Sequence, residues 1–222
     1  MVKKIYLSPS AQNNNRYAYG NVSEQQICNR IADYAKIALE RNGYTVKKAP
    51  EGQSFQKNVA ESNAWGAEIH MPIHTNAGGG DGTTVLAYPS SVNNKYVKSV
   101  YEAVATASPG KDDGIKARSD LYEINSSKCT CVYIECEFHD NQQLAMWIIK
   151  NVDTIGEAIT KGMCKADGKT YIGNNINTET NTNNADDKKL YRVQVGAFVE
   201  KKNAEKLVEK LKKDGYLAYI KV

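Results

Sequence analysis

The sequence lacks long apolar runs and an N-terminal targeting signal. No apolar stretch in its 222 residues approaches the ~20 residues that cross a bilayer. The first residues lead directly into a strand pattern, with neither an apolar signal region nor a cleavage site. We therefore expect a protein without membrane insertion that is made in the cytoplasm and stays there until its target becomes accessible.

The cysteines lack the even number and the spacing of a disulfide scaffold. There are five of them: Cys28, Cys129, Cys131, Cys136 and Cys164. A metal cluster of Cys129, Cys131 and Cys136 is one alternative. Cys131 and Cys136 fall on one predicted strand, however, so the pattern favours buried structural thiols.

Net positive charge is lacking outside the C-terminal segment. Residues 187–222 contain ten Lys and Arg against five Asp and Glu, and this segment accounts for the net charge of +4. A basic module suits an anionic partner such as a cell wall, a nucleic acid or a membrane surface. No nucleic-acid recognition motif is present, and we therefore do not expect a nucleic-acid partner.

Predicted strands and helices alternate over residues 1–165. Ser23 and Gln26 have the spacing of a capping box, which predicts a helix that Gly43 ends. The other predicted helices cover residues 53–65, 92–106 and 152–164, and the predicted strands cover residues 3–8, 44–47, 67–74, 83–88, 114–120 and 131–138. This order predicts an α/β fold, a parallel-rich mixed sheet with helices on both faces.

The rest of the chain divides into a linker and a small module. Residues 166–189 are rich in Asn and Thr and contain almost nothing that can pack, which predicts a flexible linker. Residues 190–198 alternate as a strand, a short amphipathic helix follows, and residues 216–222 form a last strand. Residues 190–222 are therefore predicted to form one βαβ unit, half of a ferredoxin-like module.

Three chemically active side chains are predicted to meet at one edge of the sheet. His74 ends a buried strand just before a Gly-rich turn, and Glu24 begins the first helix. Glu135 interrupts an apolar strand, where a carboxylate needs a partner or a chemical role. The carboxyl ends of parallel strands and the following helix starts converge, so these groups can share a site, and a histidine there can bind a metal.

The motifs together resemble the zinc-dependent N-acetylmuramoyl-L-alanine amidases. The residues that carry the likeness are 7–10, Glu24, 73–77, 114–118 and 133–141. The resemblance implies cleavage of the amide between N-acetylmuramic acid and L-alanine in peptidoglycan. It implies that Glu24 and His74 bind Zn2+ and that Glu135 moves the proton of the attacking water.

One zinc ligand of that family is missing. Where most members have Gly-His-Gly, this chain reads Ser10-Ala11-Gln12. The candidates for the third ligand are Gln12, His70 and His139. His70 is ~13 Å from His74 along an extended strand, too far for both to bind one ion. We predict Gln12, which lies in the loop that the family uses.

Three further residues are candidates for contact with the substrate, and a fourth is weighed as an acid. Asn76 follows His74 in its motif, Arg118 is placed to hold a substrate carboxylate, and His139 to steady the reaction intermediate. A solvated surface arginine is the alternative for Arg118. Glu137 is either a second acid or an exposed charge at a strand end.

The C-terminal module resembles half of a SPOR peptidoglycan-binding domain. The likeness is carried by residues 191–198, Ala204, Leu207, Leu211 and 215–216. A second copy of the chain can supply the missing half, so we expect a homodimer formed through residues 190–222. The expected function is a cell-wall lytic amidase, an endolysin or an autolysin. The alternative is a peptidoglycan-binding protein whose catalysis is impaired by the missing histidine.

Overall fold

A computed structural model describes residues 3–174, 195–196, 198, 200–213 and 220. The chain divides into two compact units, Met1–Asn175 and Ile176–Val222. The first unit contains the sheet and the candidate site. No helix in the described stretches is long and apolar enough to cross a membrane.

A mixed sheet forms the centre of the first unit. Its strands are β1 (Lys4–Pro9), β2 (Thr45–Lys48), β3 (Ile69–Asn76), β4 (Thr84–Ala87), β5 (Gly114–Ala117), β6 (Thr130–Cys131) and β7 (Tyr133–Phe138). The strand order is β2-β1-β3-β7-β4-β5, and β6 pairs with β3 beside β7. β4 is antiparallel to β7 and parallel to β5, whereas the other pairings are parallel. This confirms the predicted fold class.

Helices surround the sheet. They are α1 (Glu24–Arg41), α2 (Phe55–Trp65), α3 (Lys95–Ala107), α4 (Tyr122–Ser126), α5 (Gln142–Lys150) and α6 (Val152–Asp167), and the second unit contains α7 (Lys201–Lys213). α1, α3 and α6 pack together over one face and bury the main hydrophobic core. α2 and α4 contact each other, and α2 also contacts β1.

Alternation along β1 separates the core from the polar side of the sheet. Ile5 and Leu7 belong to the main core. Tyr6 and Ser8 point to the opposite face, where they bond to side chains of α2 and α4. The same alternation in β3 places His70 and His74 on the polar face. The candidate site is therefore built on the face opposite the main core.

The helix start at Ser23 is confirmed in detail. The Ser23 hydroxyl accepts from the Gln26 backbone N–H, and the Gln26 side chain accepts from the Ser23 N–H. This reciprocal cap fixes the first residue of α1, Glu24, against the sheet edge. The helices α4 and α5 were not predicted, because α4 has only five residues and α5 is separated from α6 by a single residue.

The predicted start of the linker at residue 166 is corrected. α6 continues to Asp167 and ends at Gly168 in the left-handed region. Ile172 then exchanges hydrogen bonds with the side chain of Asn42, its N–H donating at 2.7 Å and its carbonyl accepting at 2.9 Å. These bonds hold the segment after α6 on the first unit. The rest of the predicted linker, from residue 175, lies outside the described residues.

The second unit contains the predicted short helix. In α7, the apolar residues Ala204, Leu207, Val208 and Leu211 are half-buried and most of the others are exposed. The predicted strands at residues 190–198 and 216–222 lie mostly outside the described residues. The described positions 195, 196, 198 and 220 are not in a strand.

All five cysteines are free, as expected. Four of them are buried, and Cys129 is half-buried. Burial raises the pKa of the Cys131 thiol well above its ordinary value. These thiols are packing groups of the fold.

Candidate active site

Glu24 and His74 form the centre of the site. Glu24 begins α1 with only 1% of its surface exposed, and His74 lies near the end of β3. Glu24 Oε1 is 2.8 Å from His74 Nδ1. Burial would raise the pKa of Glu24, but the hydrogen bond and charge of His74, together with hydrogen bonds from Ser10 and Asn15, outweigh burial and lower that pKa. The pair predicted from the sequence is therefore brought together as a buried carboxylate–imidazole contact.

The environment of His74 favours its charged form. Burial would lower the pKa of this imidazole, but the bond to Glu24 and the nearby carboxylates of Glu135 and Glu123 raise it above its ordinary value. The ring also stacks on Tyr133, with centroids 4.7 Å apart. Three carboxylates around one imidazole leave an excess of negative charge, which makes this part of the site attractive to a cation.

A chain of hydrogen bonds connects Glu24 to His139 through Asn15. Asn15 Nδ2 donates to Glu24 Oε2 at 2.6 Å, and Asn15 Oδ1 is 3.0 Å from His139 Nε2. His139 Nδ1 lies 3.0 Å from both the carbonyl and the hydroxyl oxygen of Thr75, and its ring stacks on Tyr17. Because His139 is only 1% exposed, it is placed to hold Asn15 and not to meet a substrate.

Glu135 lies beside His74 on the neighbouring strand. The two residues are register partners in the parallel pairing of β3 and β7, so their side chains share one face of the sheet. Glu135 Oε2 is buried and has no hydrogen-bond partner. Burial raises the pKa of this carboxyl to about 7, and the positive charge of His74 opposes the shift. An uncompensated carboxylate oxygen of this kind is suited to hold and move a proton.

Glu123 is a site residue that the sequence reasoning missed. It lies on α4 and is 5% exposed. Its Oε1 accepts from the Ser8 hydroxyl at 2.5 Å and is 3.2 Å from His70 Nε2. Its Oε2 is 3.9 Å from His74 Nε2. One indication of a buried glutamate was available in the sequence, since Glu123 lies between the apolar residues Tyr122 and Ile124. Nothing in the sequence indicated that α4 contacts β1 and β3.

A cleft of about 660 Å³ opens onto His74. Its wall includes Gln12, Glu123 and Tyr133, and further lining comes from the loop before α2 and the start of α4. Gln12 is exposed, and its Oε1 accepts from Asn15 Nδ2 at 3.5 Å. The amide group of Asn15 therefore contacts both the predicted ligand Gln12 and Glu24.

The other predicted site residues lie around this centre. Asn76 ends β3, and its Oδ1 accepts from the Ala77 N–H at 2.9 Å, which shapes the Gly-rich turn. Arg118 donates two bonds to Asp120, at 2.7 and 2.6 Å, so its guanidinium is occupied at the edge of the cleft. Both remain predictions as contacts for the substrate.

Glu137 has the position of a structural residue. It is fully buried, and its carboxylate accepts from the N–H groups of Gly82 and Gly110 and from the Ser108 hydroxyl. These bonds tie two loops to the end of β7. The prediction that Glu137 is an exposed charge is therefore wrong. Hydrogen-bond donors occupy both oxygens of its carboxylate, which suits a structural role.

The donor set fits a metal in part. Glu24 Oε1 and His74 Nδ1 are ordinary zinc donors in direct contact. Across the described part of the chain, however, no group of three or more His, Cys, Asp or Glu side chains is arranged to hold a metal. Gln12, which lines the same cleft as His74 and lies on the same loop as Asn15, offers an amide oxygen as a candidate third donor.

These features define a hydrolase-type site, a buried carboxylate beside an imidazole at the carboxyl edge of parallel strands. Residues 5–165 match the family model described as N-acetylmuramoyl-L-alanine amidase, Amidase_3, and residues 187–222 match the SPOR domain. Because the first match spans more than half of the chain, the protein belongs to the N-acetylmuramoyl-L-alanine amidase family, and it is a peptidoglycan hydrolase.

Individual relatives agree with this assignment. The chain is 24% identical to the sporulation-specific N-acetylmuramoyl-L-alanine amidase of Bacillus subtilis strain 168, over 96% of this chain and 82% of that protein. The catalytic domain of CwlV from Bacillus (Paenibacillus) polymyxa has the same fold, with a TM-score of 0.69 at 14% identity, over 76% of this chain and all of that one. The catalytic domain of the CD27L endolysin, which targets Clostridia difficile, has a TM-score of 0.62 at 25% identity, over 73% and 97% of the two chains.

Proposed function

We propose that this amidase hydrolyses the bond between N-acetylmuramic acid and L-alanine with a zinc ion held by Glu24, His74 and the amide oxygen of Gln12. The observation that carries the proposal is the 2.8 Å contact between Glu24 Oε1 and His74 Nδ1 next to the unpartnered Oε2 of Glu135. Bound zinc polarises a carbonyl oxygen and lowers the pKa of a bound water.

The proton is moved by Glu135. Its Oε2 has no hydrogen-bond partner, so it can take a proton from the attacking water and deliver it to the alanine nitrogen as the amide breaks. In the metal-free site, burial raises the pKa of this carboxyl to about 7, so its protonated and ionised forms are both accessible near neutral pH. Asn15 holds Glu24 Oε2, so Oε1 stays directed at His74.

The choice of Gln12 rests on its neighbours. Gln12 Oε1 and Glu24 Oε2 both accept from the same Asn15 Nδ2, at 3.5 and 2.6 Å. Gln12 also lines the cleft that contains His74. An amide oxygen is a weaker zinc donor than an imidazole, so we expect lower zinc affinity than a His-Glu-His site would have.

The metal content tests this proposal directly. The full chain is stripped with a chelator, reloaded with zinc, and analysed by mass spectrometry for bound metal. His74→Ala and Glu24→Ala should each lose the zinc, and Gln12→Ala should weaken its binding, whereas Gln143→Ala, an exposed glutamine on α5, should not. A wild-type chain that releases alanine amino termini from wall without zinc would refute the zinc proposal.

The biological role that we propose is lysis of a cell wall, as an endolysin or an autolysin. Among the relatives, one is described as an endolysin and another as sporulation-specific. We also propose that the SPOR-matching segment binds peptidoglycan and pairs two chains. Its basic charge suits a polyanionic wall, and two tethered catalytic units raise the effective affinity for a repeating substrate.

A further inference from the structure

Two aromatic side chains at the mouth of the cleft have no assigned role. Phe55 and Tyr122 both line it and are 44% and 46% exposed. Their rings meet edge to face, with centroids 5.7 Å apart and planes inclined at 61°. Exposed large aromatics that adjoin a site are a common means of binding a ligand with an apolar face.

The two helices that carry this pair are hydrogen-bonded to each other. Phe55 is the first residue of α2 and Tyr122 the first of α4. The two helices are joined through Asn63, whose amide donates to the Ser126 carbonyl at 3.0 Å and accepts from the Lys128 N–H at 2.8 Å. These bonds fix the relative position of the two helices, and so of the backbone that carries the two rings.

The Ser8 hydroxyl connects the pair to the catalytic site. It accepts from Asn58, one turn after Phe55, at 2.9 Å, and donates to Glu123, which follows Tyr122, at 2.5 Å. Glu123 Oε2 in turn lies 3.9 Å from His74 Nε2. The aromatic pair and His74 are therefore parts of one continuous cleft.

The charges of the cleft identify its occupant. Among the residues that line it, the carboxylates are Asp120, which is paired with Arg118, and Glu123. The cationic group is the His74 imidazole, which lies at the catalytic centre, 3.9 Å from Glu123 Oε2. A peptidoglycan stem peptide carries free carboxylates, which such a wall repels. The glycan strand is a chain of N-acetylated sugars with apolar C–H faces, which suit the exposed rings of the aromatic pair.

We propose that Phe55 and Tyr122 form a subsite for the N-acetylhexosamine strand of peptidoglycan, so that the glycan and not the stem peptide occupies this arm of the cleft. The inference rests on the proposed function, since it assumes that the scissile amide lies at His74 and Glu135. The muramoyl sugar is then directed toward α2 and α4, and the stem peptide leaves in another direction.

Binding of a peptide-free sugar probe tests the subsite without any turnover. The probe is the β-1,4-linked tetramer of N-acetylglucosamine, titrated calorimetrically into the full chain. Phe55→Ala and Tyr122→Ala should each weaken binding on the order of tenfold, the loss expected for a central aromatic contact. Tyr88→Ala removes an equally exposed aromatic, 42% accessible, from outside the cleft and should leave the affinity unchanged.

Kinetics on intact wall separate this proposal from the proposed function. Both cleft variants should raise KM with little change in kcat and should keep zinc content and circular dichroism unchanged. Unaltered sugar affinity in folded variants of an active amidase would overturn the subsite alone. Weakened binding of an L-Ala-D-Glu stem peptide with unaltered sugar binding would overturn it too. A wild-type chain without amidase activity would refute the proposed function.

Discussion

His74 on β3 and Glu135 on β7 are register partners across two neighbouring parallel strands. This relationship places an imidazole and a carboxylate side by side on the polar face of the sheet. Glu24 also contacts the imidazole, with its Oε1 2.8 Å from His74 Nδ1. Backbone pairing and a helix cap therefore fix the positions of the proposed proton carrier, Glu135, and of the proposed metal-binding pair, Glu24 and His74.

The first prediction concerns His139, which contacts Asn15, the residue whose amide donates to Glu24. His139→Ala should weaken zinc binding by up to about 10-fold, the lower end of the effect of losing a group bonded to a ligand, because His139 acts on Glu24 only through Asn15. Competition with a chromogenic chelator measures the affinity. His139→Gln, which keeps an N–H near the position of Nε2, should restore part of it. Full zinc affinity in a folded His139→Ala protein would show that the contact is only structural.

The buried carboxyl of Glu135 gives a pH-dependent prediction for the metal-free protein. Its pKa is about 7 in the fold against an ordinary value of 4.5, so the folded state binds this proton more tightly than the unfolded state does. Stability therefore falls as pH rises from about 4.5 to about 7, by up to about 3 kcal/mol. The neutral Glu135→Gln variant should be more stable than wild type at pH 8.

Urea unfolding at pH 4 and pH 8 measures this effect. The stability gap between Glu135→Gln and wild type should be present at pH 8 and small at pH 4, because both states of wild type are mostly protonated at the lower pH. An equal gap at the two pH values would show that packing, and not ionisation, separates the two proteins.

Self-association of the C-terminal module gives the third prediction. α7 has one half-buried apolar side, and the sequence predicts only two strands to cover it, a combination that rarely forms a stable unit alone. Light scattering at micromolar concentration should therefore report a dimer for the full chain and a monomer after deletion of residues 190–222. A monomeric full chain would contradict the prediction, and a dimer that survives the deletion would place the interface elsewhere.

The central site could be predicted because its signals are local. A capping box placed Glu24 at a helix start, and β-branched apolar runs placed His74 and Glu135 on buried strands. Parallel pairing then brings such positions to one edge of the sheet. The alternating pattern of strands and helices was also enough to predict the fold class.

The missed parts depend on contacts between distant segments. Glu123 meets Ser8, 115 residues away, and Asn15 meets His139 across 124 residues. A five-residue helix such as α4 shows no periodicity that would mark its buried face. The corrected linker start has the same cause, because Ile172 is held by Asn42 across 130 residues of sequence.

The proposed role of Glu135 as the proton carrier is tested most directly by measuring the new amino termini that the protein produces in purified cell wall. These amino termini are labelled with fluorodinitrobenzene and identified by mass spectrometry. Wild type should release amino-terminal alanine, and Glu135→Gln should do so at least about 100-fold more slowly with its zinc retained. Glu137→Gln, on the same strand but bonded to Gly82 and Gly110, should keep the rate per folded molecule. A near wild-type rate in Glu135→Gln, or release of reducing sugar ends in place of alanine termini, would contradict the account.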